Sequence, residues 1–88
     1  MAPVSYRAVL AGAALTQFGQ LLADQELYAE FMDRLVILRD APWDAWAVLP
    51  AGEDPALREA QFGDYGLMQF RVDDRAETLI IVNLLWVT

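Results

Sequence analysis

Several residue types are missing from this chain of 88 residues, and each absence excludes something. There is no cysteine, so neither a disulfide framework nor a thiolate metal site is expected. There is no histidine, which removes the commonest general base and the commonest metal ligand. Lysine is missing too, so all six cations are arginines, set against 13 acidic residues for a net charge of −7. Such an acid excess opposes binding to bulk nucleic acid, whose non-specific affinity comes from phosphate neutralisation; a basic protein is a better electrostatic match. No apolar run approaches the ~20 residues of a membrane helix. The opening Met1-Ala2-Pro3-Val4 lacks a signal-peptide pattern. A cytoplasmic protein without a membrane segment is the expectation. No phosphate-binding glycine loop, nucleophile elbow or zinc motif is present. The cluster of Glu53, Asp54 and Glu59 meets no ligand spacing and reads as solvated surface, so no metal or cofactor is expected.

What is abundant is apolar. The apolar fraction is 57%, high for one small domain, in which only about 60–65% of the unfolded surface can be buried. Part of that excess is expected at an interface.

The periodicity changes along the chain. Val4–Leu10 alternates and predicts a strand. Ala14, Leu15, Phe18, Leu21 and Leu22 recur at helical spacing over residues 13–22. Asp24 predicts an N-cap and Glu26 sits where the helix dipole favours an anion. The stripe Leu27, Phe31, Leu35 and Leu38 then predicts a second helix, ended by Pro42. A short extended piece at Ala47–Leu49 precedes the loop Pro50–Pro55. From Arg58 onward the chain reads strand, tight Gly63-Asp64 turn, strand, polar Asp73–Glu77 turn, strand. The order β-α-α-(β)-β-β-β predicts a single α+β domain spanning residues 1–88: a strand, a helical hairpin and an antiparallel meander, with both helices on one sheet face. The run Thr78–Val87 is apolar on both faces apart from Thr78 and Asn83, as suits a covered central strand.

The meander carries the stretch Gln61-Phe-Gly63-Asp64-Tyr65-Gly66-Leu-Met-Gln-Phe70-Arg-Val-Asp73-Asp74, followed by Leu79-Ile80-Ile81-Val82-Asn83. With the element order, it resembles the RelE/ParE superfamily, the small toxins of bacterial toxin–antitoxin modules. The resemblance covers nearly the whole chain and implies the α+β architecture above. It also implies a partner, since an antitoxin segment wraps such toxins. Members that cut messenger RNA on the ribosome use cationic side chains on the concave sheet face, helped by Tyr, His or Glu. Here Gln61 and Gly66 stand where arginines are expected. The sequence reads Trp86-Val87-Thr88 where such members often carry a C-terminal His or Tyr. The resemblance therefore implies a toxin-module protein with a degenerate catalytic site, working by protein binding. The alternatives are an active ribosome-dependent endoribonuclease using Arg7, Arg71, Arg75 and Tyr65, and a homodimeric module unrelated to toxins.

Strict alternation assigns Tyr65, Leu67, Gln69 and Arg71 to the open sheet face, with Leu79, Ile81, Asn83, Leu85 and Val87 of the last strand. Arg7, Gln69, Arg71 and Asn83 would then form either a phosphate-binding remnant or a polar fringe, with Arg71 paired to Glu59 or Asp73. Leu67, Leu79, Ile81, Leu85 and Val87 would form an apolar patch for an antitoxin-like partner or a second copy, unless residues 42–55 fold over it. Trp43 and Trp46 serve equally as a binding anchor or as core closure.

Overall fold

Gly12, at φ 59°, turns the chain out of a short strand and into a helix, a backbone conformation that a side chain would oppose. In the computed structural model, which describes residues 5–87, the elements are β1 (Arg7–Leu10), α1 (Ala13–Leu21), α2 (Gln25–Asp40), β2 (Val48–Pro50), β3 (Leu57–Phe62), β4 (Gly66–Asp73) and β5 (Thr78–Trp86). The expected α+β class is what the chain adopts. Val4, expected to open the first strand, lies outside the described residues.

Helix α2 begins as its sequence dictates: the Asp24 carboxylate accepts a hydrogen bond from the Leu27 N–H at 3.1 Å. This satisfies one of the donors that a helix start leaves unpaired. Phe31, Leu35 and Leu38 are buried, one helical stripe turned to the sheet. The C-terminal end is tied to the start of β1. The Tyr6 N–H donates to the Arg39 carbonyl at 2.7 Å, and the Arg39 guanidinium donates back to the Tyr6 carbonyl at 2.7 Å.

The five strands form one sheet in the order β1-β5-β4-β3-β2. β5 is an interior strand, parallel to β1 and antiparallel to β4. β4 alternates buried and exposed along its length. Its Met68, Phe70 and Val72 join Ala60 and Phe62 of β3 and Leu79, Ile81 and Leu84 of β5 in the core beneath the helices. Phe31 stands edge-on to Phe62 at 5.5 Å between ring centroids and 5.9 Å from Phe18. This aromatic set locks helix hairpin to sheet.

Alternation fails in β5. Phe70 faces Ile81 but the adjacent Gln69 faces Asn83, so Val82 is an extra residue on β5, a β-bulge. Ahead of it Leu79 and Ile81 point into the core, and beyond it Leu84 does, while Leu85 and Val87 stay outside. The expectation that Leu79 and Ile81 lie on the open face is therefore corrected: they are 0% and 1% exposed. One inserted residue reverses facing, because side chains repeat every two residues.

β1 ends at Leu10, so the edge of β5 past Ile81 has no strand partner there. Gln17 of α1 substitutes for one. Its amide oxygen accepts the Leu84 N–H at 2.6 Å, and its amide nitrogen donates to the Asn83 Oδ1 at 2.8 Å. The bulge residue's neighbour is thus tied to the helix rather than left bare.

Trp43, which follows Pro42, is anchored rather than free. Its indole N–H donates to the Asp74 Oδ1 at 2.8 Å, and the Tyr6 hydroxyl donates to the same oxygen at 2.5 Å. Asp74 thereby ties the segment after α2, the entry to β1 and the β4–β5 turn together. The bond from Tyr6, then that from Trp43, holds the Asp74 carboxyl below the usual carboxylate range. The same bond, with burial, pushes the Tyr6 hydroxyl up to about 12. The two signs are opposite. Asp74 stabilises the fold above its unfolded value of 3.8 and loses that effect as pH falls below it. Tyr6 stabilises the fold fully below pH 10.0 and loses that effect as pH rises towards about 12. In an ultraviolet titration Tyr6 is expected to ionise at about pH 12, and Asp74→Asn is expected to move that transition to lower pH. A parent titration that Asp74→Asn leaves unchanged would refute the bond between Tyr6 and Asp74.

Candidate partner-binding face

The sheet face away from the helices is uncovered. Register places three rows across it. Leu57, Arg71, Ile80 and Val9 form one, Leu49, Glu59, Gln69 and Asn83 the next, and Gln61, Leu67 and Leu85 the third. Tyr65 and Val87 extend the last row, joined by a hydrogen bond from the Val87 N–H to the Tyr65 carbonyl at 3.1 Å. Tyr65 is 71% exposed, Val87 73% and Leu85 46%. In the middle row the Asn83 amide donates to the Gln69 Oε1 at 3.2 Å, so a chain of amides runs from Gln17 through the bulge to the open face. The face is apolar at both ends and amide-polar across the middle. Without Leu79 and Ile81 the apolar patch is smaller than alternation implies, and it divides in two.

The four residues of the ribonuclease alternative do not converge. Tyr65 lies in the β3–β4 turn and Arg71 six residues further along β4, which is about 20 Å of extended chain. Arg7 lies two strands from β4, opposite Thr78, while Arg71 lies opposite Ile80; that is about 10 Å sideways, plus an offset along the strands. Arg75 is exposed in the β4–β5 turn. Arg71 itself is ion-paired at the rim, with its Nη1 2.6 Å from the Asp54 Oδ2. Its partner is therefore Asp54 rather than Glu59 or Asp73. The Asp54 carboxyl is held below the usual range, first by the Ala56 N–H and then by Arg71. This carboxylate neutralises the one arginine central enough to meet a phosphate on the sheet.

The two tryptophans divide. Trp43 packs against the core, with the Arg58 guanidinium 5.7 Å from its ring centre; as a partner anchor it is corrected to core closure. Trp46 is 85% exposed, and its carbonyl accepts a hydrogen bond from Arg34. Residues 42–55 do not fold over the open face; Asp54 reaches it only to meet Arg71.

Charge is segregated. A cleft of about 410 Å³ opens between the first turns of α2 and the β3–β4 turn. Asp24, Glu26, Glu30 and Asp64 wall it, around Leu27, Tyr65 and Val87. No arginine lines it. Sequence reasoning missed this cleft, because its acids come from two segments more than thirty residues apart and only the fold joins them.

Among the described residues, no helix is long and apolar enough to cross a membrane. No group of three or more His, Asp or Glu side chains among them is placed to hold a metal ion. The fold and the face define the class: a small α+β domain with one sheet surface left open. No family model, no curated protein and no solved structure matches the chain.

Proposed function

We propose that this protein is a binding module of the toxin–antitoxin kind, acting by docking a partner protein on its open sheet face rather than by cutting RNA. The observation that carries this reading is the uncovered face itself, with Leu67 and Leu85 side by side on it and Tyr65 and Val87 exposed at its end, beside the first turns of α2. Neighbouring exposed apolar side chains with a polar surround are a common mark of an interaction surface. The element order, β-α-α followed by strands, is the one that the RelE/ParE resemblance implies. The net charge of −7, the Arg71–Asp54 pair and the distance from Tyr65 to the arginines all weigh against a phosphate-binding centre.

Two measurements test this. Induced alone in a bacterial host, the chain is expected to leave growth and messenger RNA intact; growth arrest that Arg71→Ala abolishes would favour the ribonuclease instead. Peptides selected from a displayed library against the immobilised chain are expected to lose at least tenfold in affinity for Leu67→Thr/Leu85→Thr, which removes apolar area from the face without adding charge and keeps strand-forming side chains, so that only a modest fall in thermal midpoint is expected. Selected peptides that bind parent and variant alike would place recognition elsewhere.

A further inference from the structure

The end of the open face carries a charge pattern that specifies its occupant. Leu67 and Leu85 lie side by side in register, and Tyr65 and Val87 continue the row to the sheet end. There the apolar floor meets the cleft walled by Asp24, Glu26, Glu30 and Asp64. Asp24 is engaged in capping α2. None of the four is in an ion pair; the one salt bridge among the described residues is that of Arg71 with Asp54.

The chain's own cations are placed elsewhere. Arg39 and Arg58 bond the carbonyls of Tyr6 and Val48, and Arg7 and Arg75 sit at the far end of the sheet. Arg34 is the nearest cation and lines neighbouring hollows with Glu30 and with Asp64, but its guanidinium bonds the Trp46 carbonyl and forms an ion pair with neither acid. Like-signed carboxylates are thus gathered around an exposed tyrosine and valine, and none of them is ion-paired among the described residues. A second copy of the chain would bring another −7 to this surface, which mutual repulsion disfavours.

Building on the binding reading, we infer that the occupant of this end of the face is a cationic, apolar segment of another protein. Its apolar side chains cover Tyr65, Val87, Leu67 and Leu85. Its arginines or lysines lie against Asp64, Glu30 and Glu26. Apolar contact supplies the hold, and the acidic rim selects the sign of the partner and steers its approach.

The test uses the full chain and four labelled dodecapeptides: alternating Leu-Arg, Leu-Ser, Leu-Glu and Gly-Arg. Binding is followed by fluorescence anisotropy at two salt concentrations. Leu-Arg is expected to bind tightest and to weaken as salt rises, because exposed charge pairs are screened. Glu30→Gln/Asp64→Asn is expected to weaken it about three- to tenfold, as loss of two exposed charge contacts would. Asp44→Asn/Glu53→Gln, which removes the same charge elsewhere on the surface, is expected to leave it unchanged. Equal binding of Gly-Arg and Leu-Arg would reduce the effect to diffuse charge attraction and overturn the inference. So would equal losses in the two charge variants. Leu-Ser or Leu-Glu binding as tightly as Leu-Arg, with that affinity lost in Leu67→Thr/Leu85→Thr, would refute the cationic partner while leaving the face as the binding surface. Failure of every peptide to respond to that face variant would count against both readings.

Discussion

Phe31→Ala is expected to remove about 3–5 kcal/mol of stability, the largest effect of any single truncation considered. Phe31 is 1% exposed. Its ring stands at the centre of the aromatic set, 5.5 Å from Phe62 on β3 and 5.9 Å from Phe18 on α1. Truncation therefore opens a cavity where both helices meet the sheet, and removes one edge-on and one tilted ring contact beyond the lost area. A domain of this length has a total stability of roughly 4–13 kcal/mol, so the variant is expected to be marginal or unfolded at 37 °C. Phe31→Leu keeps most of the volume and is expected to cost about 1–2 kcal/mol. Urea unfolding of both, followed by circular dichroism, checks the pair. A loss below about 1 kcal/mol for the alanine variant would mean that the ring is not enclosed as described.

The second large effect is Gly66→Ala. Gly66 is buried opposite Phe62, and a Cβ there would lie 2.4 Å from the Phe62 ring. The ring has nowhere to go, because Phe62 is 1% exposed and braced by Phe31. The overpacking is expected to cost about 2–3 kcal/mol, lowering the thermal midpoint by ~10–20 °C. Gly19→Ala is the contrast. Gly19 lies exposed within α1 with nothing within 4 Å of an added Cβ, and alanine there is expected to stabilise by about 0.5–1 kcal/mol. Opposite signs from the same chemical change would show that the close approach at Gly66, and not glycine as such, matters. Thermal unfolding of the two variants decides it.

Gly66 also limits what the sheet can carry. A side chain there would point into the core against an aromatic ring, so Gly66→Arg is expected to break the fold before it could add charge to the sheet.

The parts of the fold that were legible share one property: local chemistry and global burial agree. In β4 the alternation of Leu67, Gln69 and Arg71 with Met68, Phe70 and Val72 matches the observed facing residue for residue. Asp24 caps the helix that its position announces. β5 was illegible where it mattered. Leu79–Trp86 is apolar at nearly every position, so no period marks where the extra residue falls, and the bulge at Val82 is specified by Gln17, 67 positions from Leu84. The partner of Arg71 was missed for a related reason. Asp54 is aimed by its own bond to the Ala56 N–H at 2.9 Å, loop geometry that a scan for nearby acids on the strands does not reveal. The acidic cleft required knowing that the start of α2 lies beside the β3–β4 turn.

The parallel pairing of β1 with β5 has a bearing on biosynthesis. It aligns Arg7 with Thr78 and Leu10 with Ile81, so the earliest strand waits for a partner made about 70 residues later, a closure of high contact order. Until β5 emerges, the core lacks Leu79, Ile81 and Leu84, and the first strand and both helices have apolar surface with nothing to cover it. A nascent chain ending at Glu77 is therefore expected to remain unfolded and chaperone-accessible. Productive folding begins only once β5 has left the ribosome, and a partner that recognises the finished sheet engages only after that point.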